Sequence, residues 1–116
     1  MVDDEDFHRL LDFMPVAIYA HVAGDIIYAN PAMAKLFGAA SPDEFRGKYS
    51  LDLYPAEARE RARRRRDENT NRGGNDDFMR YDNIARFDGT GFTGEVAGIS
   101  FPYKGKHTNF VVVREA

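Results

Sequence analysis

Three histidines are the side chains of this 116-residue chain best suited to metal or proton-transfer chemistry: His8, His21 and His107. A metal or haem site needs ligands that converge in space, and the spacing of these three does not indicate convergence. The chain contains no cysteine, which excludes disulfides, thiolate metal sites and thiol nucleophiles. We therefore predict surface or capping roles for the histidines and no metal site.

The carboxylates in the strand-forming half are weak candidates for catalysis. An enzyme would need a nucleophile or an acid–base pair within a pocket, and the acids available there are Asp82, Asp88 and Glu95. Asp88 precedes Gly89 in a dipeptide typical of hairpin turns, and Glu95 fits an exposed strand position. We predict no catalytic residues and no enzymatic activity for the isolated domain.

A run of arginines gives the chain its strongest local charge: Arg59, Arg61, Arg63, Arg64, Arg65 and Arg66. Acidic residues interleave with them, the formal net charge of the chain is −3, and no aromatic residue in the run could stack on bases. These features favour a solvated helix face and no nucleic-acid partner. The alternative is an anion-sensing or partner-docking face.

Caps, turn residues and hydrophobic periodicity predict the elements that position these side chains. Helices are expected over 6–13, 31–37 and about 55–67, with a short helix capped by Ser41 and Glu44. Strands are expected over 16–22, 25–29, 78–87, 92–101 and 107–114, with a helical turn or loop at 50–54 and a polar loop over 69–77. Strands joined by hairpins are antiparallel, and helices grouped in one block cover one sheet face, so the fold class is α+β.

The most informative segment runs from Ile26 to Gly38, where a short strand leads through Asn30 directly into a helix. Asn30 can accept hydrogen bonds from the free amides of the first helical turn, and Pro31 suits the first helical position because no donor is needed there. Gly38 can adopt the left-handed conformation that ends a helix. We predict a structural role for Asn30.

This order of motifs resembles the PAS family of sensory domains. The residues that carry the resemblance are Asn30, Phe37-Gly38, Gly47-Lys48, Pro55, Arg86-Phe87-Asp88-Gly89 and Val112-Val113-Arg114-Glu115, with Glu115 where the family usually has Asp. The resemblance implies a five-stranded antiparallel sheet with helices on one face. It also implies a non-catalytic domain that regulates an output domain in the same parent chain, typically a histidine kinase, a cyclic-dinucleotide enzyme or a transcriptional regulator. Residues 1–14 would form an N-terminal amphipathic helix, and 15–116 the PAS domain.

The resemblance also frames the question of a ligand. Flavin-binding members need a cysteine, and haem-binding members place a histidine on or near the long helix. Residues 55–72 contain neither, so we expect neither haem nor flavin. A small organic ligand is possible, and its candidate pocket residues are Ile18, Ile27, Phe37, Leu53, Tyr81, Asn83, Phe92, Val96, Ile99 and Val112. The alternative is that these residues pack a solid core.

The N-terminal segment carries an apolar stripe at helical spacing, formed by Phe7, Leu10, Leu11 and Met14. Such a stripe would pack on the exposed sheet face or on its equivalent in a partner chain, so we expect a homodimer. A ligand-free dimerisation module is the second functional hypothesis. The sequence has no apolar run of the ~20 residues that span a bilayer, and we expect a cytoplasmic domain without a membrane partner.

Overall fold

The computed structural model describes the backbone of residues 3–72 and 75–116, and the side chains of 3–68 and 83–116. Its five-stranded antiparallel sheet has the order β2-β1-β5-β4-β3. The strands are β1 (Ala17–Val22), β2 (Asp25–Ala29), β3 (Asn75–Ala85), β4 (Gly91–Tyr103) and β5 (Lys106–Glu115). The last strand therefore lies in the centre, between β1 and β4. The predicted α+β class and five-stranded antiparallel sheet are confirmed.

Helices cover both faces of this sheet. They are α1 (Asp4–Phe13), α2 (Pro31–Phe37) and α3 (Ala56–Arg72), with 3-10 turns at Pro42–Phe45 and Ser50–Leu53. One hydrophobic cluster joins the sheet to α2, α3 and the 3-10 turns, and includes Phe37, Phe45 and Val96. A second cluster joins the opposite face to α1. We call these the inner and outer faces of the sheet. No helix among the described residues is both long and apolar enough to cross a membrane.

Two tight hairpin turns define the strand ends. Ala23-Gly24 joins β1 to β2, and Lys104-Gly105 joins β4 to β5. All four residues have positive φ, the backbone conformation of the two-residue turns that match the twist of paired strands. Ala23 and Lys104 therefore hold a conformation that favours glycine or asparagine.

Asn30 has the predicted capping role and three further hydrogen bonds. Its Oδ1 accepts from the Met33 amide at 2.9 Å, which caps α2, and also from the Ile18 amide at 3.0 Å. Its Nδ2 donates to the carbonyls of Leu11 and Val16 at 3.0 and 2.9 Å. The side chain is completely buried. One residue thus ties α2 to the first strand and to the end of α1.

Two local predictions were wrong. The Ser41 side chain makes no capping bond, and Glu44 instead accepts from the amide of Ala40 at 3.2 Å, so 42–45 form a single 3-10 turn rather than an α-helix with a capping box. The predicted loop over 69–77 is much shorter, because α3 continues to Arg72 and β3 begins at Asn75. Asn75 pairs through its backbone with Ile99 on β4, and this pairing imposes strand geometry on a polar segment. It is a tertiary effect that the strand propensity of the local sequence does not predict.

Candidate functional site

Three polar residues lie side by side on the inner face of the sheet, on three adjacent strands. His21 of β1 is opposite Asn109 of β5, and Asn109 is opposite Ser100 of β4. Directly paired residues of antiparallel strands share a face, and His21 has the same parity along β1 as Ala17 and Tyr19, which belong to the inner cluster. His21, Asn109 and Ser100 are only 3%, 6% and 8% exposed. We call these three residues the inner polar row.

The hairpin turn after β1 orients His21. The Nδ1 atom of the ring accepts a hydrogen bond from the Gly24 amide at 3.1 Å, so the neutral ring carries its proton on Nε2. The ring stacks beside Tyr19 with a centroid distance of 6.0 Å. Burial and, to a smaller extent, the positive charge of Arg66 together lower the pKa of His21 to about 4. His21 is therefore a neutral imidazole at neutral pH, and its capping role lies in the interior rather than at the surface.

This shift in pKa predicts acid sensitivity. The pKa of His21 is about 4 in the folded state against an ordinary value of 6.5, so the unfolded chain binds a proton more readily than the folded chain. The contribution of neutral His21 to the unfolding free energy is therefore complete only above about pH 6.5. We expect roughly 3 kcal/mol of the unfolding free energy to disappear as the pH falls from 6.5 to 4. Denaturant unfolding across this range measures it.

The His21→Gln variant should show a much shallower fall in stability over the same pH range. A His107→Gln variant, which removes an exposed imidazole, is the matched control and should keep the steep fall. An equal pH dependence in wild type and His21→Gln would show that His21 does not govern acid unfolding.

A fourth polar group lies next to this row. The Ser50 amide donates to the carbonyl of Gly24 at 2.6 Å, which places Ser50 beside the turn that holds His21. The Ser50 hydroxyl is buried and has no hydrogen-bond partner among the described residues. Buried polar groups are nearly always partnered, so the unpartnered Ser50 hydroxyl indicates a position where a hydrogen-bonding molecule could bind.

Helix α3 contributes small side chains to the core. α3 turns the small side chains of Ala58 and Ala62 into the core, and its backbone packs mainly against β3 and the 50–53 turn rather than the central strands. At the same end, Arg66 bonds the carboxylate of Asp67 at 3.3 Å and the hydroxyl of Tyr49 at 3.1 Å. The cation that influences His21 is thus paired with a neighbouring carboxylate.

The arginine run of α3 is largely solvated. Arg63 pairs with Glu60 at 2.6 Å and with Asp67 at 3.2 Å, while Arg59 donates to the Tyr54 carbonyl. These ion pairs have i,i+3 and i,i+4 spacing along one exposed helix face. The prediction of a solvated face interleaved with acids agrees with these contacts.

The ten residues predicted to line a pocket are divided by the sheet. Phe37, Leu53, Phe92 and Val96 belong to the inner cluster or pack against it. Ile18 and Val112 belong to the outer cluster beneath α1, so their prediction as inner-pocket residues was wrong. Both faces of β1 and β5 are apolar, and periodicity therefore could not tell which face meets the helices.

The remaining pocket predictions need separate correction. Ile27 and Ile99 are 43% and 45% exposed, and Asn83 is exposed as well, so none of these three lines an enclosed interior. Ile27 lies where the pairing of β1 with β2 shifts register between Ala20 and His21. Such a bulge changes which side of the strand faces the core. The side chain of Tyr81 lies outside the described residues.

The four apolar residues predicted for a dimer interface are also divided. Leu11 is buried in the outer cluster, and Phe7 and Met14 pack against it, so these three contact the chain's own sheet. Leu10 points away and is 53% exposed, next to Phe13, which is 83% exposed. Of the two alternatives for the stripe, packing on the chain's own sheet is therefore the one that the structure shows for Phe7, Leu11 and Met14. Leu10 lies at the edge of the stripe, about 100° around the helix from Leu11, and stays exposed.

Polar contacts hold α1 on the outer face. His8 and the hydroxyl of Tyr103 are 3.2 Å apart, and the hydroxyl of Tyr28 donates to Asp12 at 2.6 Å. Burial and the Asp12 carboxylate raise the pKa of Tyr28. His8 therefore lies on the opposite face from His21. Within the described residues, no three histidines or carboxylates come close enough together to hold a metal ion.

The architecture and the sequence agree on a family. A sequence model described as the PAS domain matches residues 5–70 of the chain. The chain belongs to the PAS domain family. The search of curated proteins found no match.

Solved PAS domains share the fold over almost the whole chain. A PAS domain from Colwellia psychrerythraea has a TM-score of 0.82 at 16% identity, covering 97% of this chain and 95% of that one. A PAS domain from a two-component sensor histidine kinase has a TM-score of 0.76 at 15% identity, with coverages of 97% and 95%. The PAS domain of a LuxR-family transcriptional regulator from Burkholderia thailandensis, in complex with ethanol, has a TM-score of 0.78 at 17% identity, with coverages of 95% and 96%. At such identities the likeness establishes the fold alone.

Sequence reasoning missed most of the inner polar row. His21 was assigned to a surface or capping role, and Ser50, Ser100 and Asn109 were not singled out. The parity of Ala17, Tyr19 and His21 along β1 was a usable signal once the inner face was known. The alignment of His21 with Asn109 depends on pairing between strands at opposite ends of the chain, which the local sequence does not encode.

Proposed function

We propose that this PAS domain is the sensory input module of a signal-transduction protein and binds a small organic ligand on the inner face of its sheet. The observation that carries the proposal is the inner polar row with the unpartnered Ser50 hydroxyl beside it. A ligand site needs mostly apolar walls and a few convergent polar groups. His21, Asn109 and Ser50 supply the polar groups, while Ala58, Ala62 and Leu53 supply apolar surface.

The output domain would lie in the same parent chain as a histidine kinase, a cyclic-dinucleotide enzyme or a transcriptional regulator. Support comes from related PAS folds that are named as parts of a sensor histidine kinase and of a LuxR-family regulator, one of them holding ethanol. Because such output domains act in the cytoplasm, we place the domain there, with neither nucleic acid nor membrane as its partner.

We further propose that the domain itself is not an enzyme and carries neither haem nor flavin. No carboxylate among the described residues belongs to the inner polar row, so the row lacks the acid–base pair that hydrolysis or isomerisation would need. The chain has no cysteine for a flavin adduct, and residues 55–72 contain no histidine. A Soret band or flavin absorbance that persists through gel filtration would contradict this proposal.

Native mass spectrometry of the purified 116-residue domain tests the sensory function. We expect a retained small-molecule mass that disappears on denaturation, or a domain whose melting temperature rises with members of a metabolite library. If the domain carries no extra mass and no library compound stabilises it, the ligand-binding function is wrong and a ligand-free module is the better description.

The second candidate function is homodimerisation through α1. Leu10 and Phe13 are large, exposed and adjacent on the outward side of this helix, and apolar side chains clustered in this way mark interaction surfaces. The flanking residues Asp6 and Arg9 form an exposed ion pair at 3.6 Å. Dimerisation and ligand sensing are compatible, since the two surfaces lie on opposite faces of the sheet.

The substitution pair Leu10→Ser/Phe13→Ser should convert a dimer to a monomer, with little change in the melting temperature of the monomer. Leu11→Ser, one residue away on the buried side, is the matched control and should lower stability by about 2–4 kcal/mol instead, because it removes a buried leucine. Sedimentation equilibrium and thermal melting measure the two effects. A wild-type domain that is monomeric at all concentrations would rule out the α1 interface.

A further inference from the structure

We propose that the domain has a second binding site, away from the inner face of its sheet, that takes a small organic ammonium ion with an apolar body. The site is a cleft at the outer edge of β2, where the carboxylate of Asp12 would bind the ammonium group. This proposal does not depend on the ligand proposed for the inner face, because the cleft shares no residue with the inner polar row.

The cleft follows from the position of β2 at the end of the sheet. β2 is the terminal strand of the described sheet, so its outer edge faces loops and helices instead of another strand. Near the start of β2 this edge is covered, since the Ile26 amide donates to the carbonyl of Lys48 at 3.0 Å. Farther along, the edge borders a cleft of about 340 Å³, within the range of about 300–1,000 Å³ that small-molecule sites occupy. We call this the edge cleft, and its lining includes His8, Asp12, Ile27, Tyr28, Pro42 and Arg46.

Two elements from opposite faces of the sheet form the walls of the edge cleft. One wall is α1, which packs on the outer face. The other is the 3-10 turn at Pro42–Phe45, whose Phe45 belongs to the inner cluster. A molecule in the cleft would therefore contact α1, β2 and the turn together.

Asp12 is the group suited to bind a positive charge. The hydroxyl of Tyr28 donates to its Oδ1 at 2.6 Å, which orients the carboxylate. The Tyr28 ring is itself held by stacking on His8, with a centroid distance of 5.3 Å. A carboxylate can accept up to about four hydrogen bonds, and Asp12 is exposed in the cleft. It can thus accept from a ligand as well as from Tyr28.

The charges that line the edge cleft favour a cation over an anion. Besides the titratable ring of His8, they are those of Asp12, Asp43 and Arg46. Arg46 lies 3.8 Å from Asp43 and offsets its charge, which leaves the charge of Asp12. Asp12 is in the last turn of α1, where the helix carbonyls add partial negative charge, and residues 10–13 of that turn include no basic side chain.

The rest of the lining favours an apolar body on this cation. Ile27 is 43% exposed, and Pro31 and Pro42 also line the cleft, so a hydrocarbon part of the ligand would remove apolar surface from water. The tyrosine ring attracts cations through its π electrons as well. The chemistry that complements the cleft is an ammonium group attached to an aryl or alkyl group.

Three probes of nearly the same shape test the charge class: 2-phenylethylamine in its ammonium form, 2-phenylethanol and phenylacetate. Binding is followed by chemical-shift titration of the backbone amides of the 116-residue domain, at about pH 8, where an ordinary imidazole is uncharged. We expect saturable, millimolar binding of 2-phenylethylamine that shifts the amides of Asp12, Tyr28 and Asp43, an affinity that fits so few heavy atoms. The alcohol should bind roughly fivefold more weakly, and phenylacetate more weakly still.

Two site variants and one control locate the binding. Asp12→Asn keeps an acceptor for the Tyr28 hydroxyl but removes the charge, and should weaken binding of 2-phenylethylamine about three- to fivefold, the effect of one exposed ion pair. Ile27→Arg places a cation at an exposed position of the cleft and should abolish detectable binding. Glu5→Gln is the matched control, because it removes an exposed carboxylate of the same helix outside the edge cleft and should leave the affinity unchanged.

An affinity for 2-phenylethanol or phenylacetate that equals or exceeds that for 2-phenylethylamine would overturn the cationic class. Equal weakening by Asp12→Asn and Glu5→Gln would reflect net charge alone and overturn the role of Asp12. Shifts confined to Gly24 and Ser50 would place the ammonium ion on the inner face, against the edge cleft but in favour of the proposed sensory function. The absence of saturable binding by all three probes would overturn this inference and leave the sensory function to be tested by native mass spectrometry.

Discussion

Replacing Asn30 with alanine should lower the unfolding free energy by about 4 kcal/mol, far more than the ~1 kcal/mol typical of a lost helix cap. The reason is that Asn30 makes four buried hydrogen bonds and only one of them caps α2. Alanine leaves two amides and two carbonyls without their partner in the protein interior. For a domain of this size, the melting temperature should fall by roughly 15 °C or more.

Two controls separate the cap from the other bonds. Asn30→Ser keeps an oxygen able to cap α2 but loses the reach to Leu11 and Val16, so it should recover only about 1 kcal/mol relative to alanine. Asp3→Ala removes an ordinary exposed cap, in which Oδ1 of Asp3 accepts from the Asp6 amide at 2.8 Å, and should cost about 1 kcal/mol or less. If Asn30→Ala and Asp3→Ala prove equally mild, the three additional bonds contribute no net stability.

Gly24→Ala should have the second large effect, a loss of roughly 3 kcal/mol or more. Gly24 has a φ of +95° and lies directly beneath the ring of Tyr49, so a Cβ added here would overlap with the ring carbons. The left-handed conformation costs about 1–2 kcal/mol for alanine, and overpacking adds about 1–3 kcal/mol. The Tyr49 ring cannot move freely, because its backbone pairs with Asp25 and its hydroxyl accepts a bond from Arg66.

Gly89→Ala is a closely matched control for this prediction. Gly89 has a similar φ of +88° but no atom within 4 Å of an added Cβ, so only the conformational cost of about 1–2 kcal/mol should remain. The difference between the two variants, measured by denaturant unfolding, reports the contact with Tyr49. A Tyr49→Ala background should reduce that difference, whereas equal losses in Gly24→Ala and Gly89→Ala would mean that the ring yields without penalty.

Gly24 and Asn30 also help to position the proposed ligand site. Gly24 donates to His21 through its amide and accepts from Ser50 through its carbonyl, so the turn holds two of the ligand-binding groups at once. Asn30 holds the opposite end of β1. The first strand is thus fixed at both ends by hydrogen bonds that do not depend on strand pairing, which suits a strand that carries a binding residue.

Much of the local structure was predictable from the sequence, because its causes are local. Asn30, Pro31 and Gly38 marked the bounds of α2, and the structure shows that helix over Pro31–Phe37 with Gly38 in the left-handed region. The Ala23-Gly24 turn was predictable for the same reason, since few residues adopt positive φ. The family resemblance, built from these punctuating motifs, implied the five-stranded antiparallel sheet that the structure shows.

The tertiary structure alone decided which side of each strand meets which helix. β1 and β5 are apolar on both faces, so Ile18 and Val112 could be assigned to the inner or the outer side with equal justification from sequence. Periodicity fixes that alternate residues share a face but not what covers that face. The row formed by His21, Asn109 and Ser100 exists because β5 inserts between β1 and β4, a pairing of distant segments whose register depends on the packed whole.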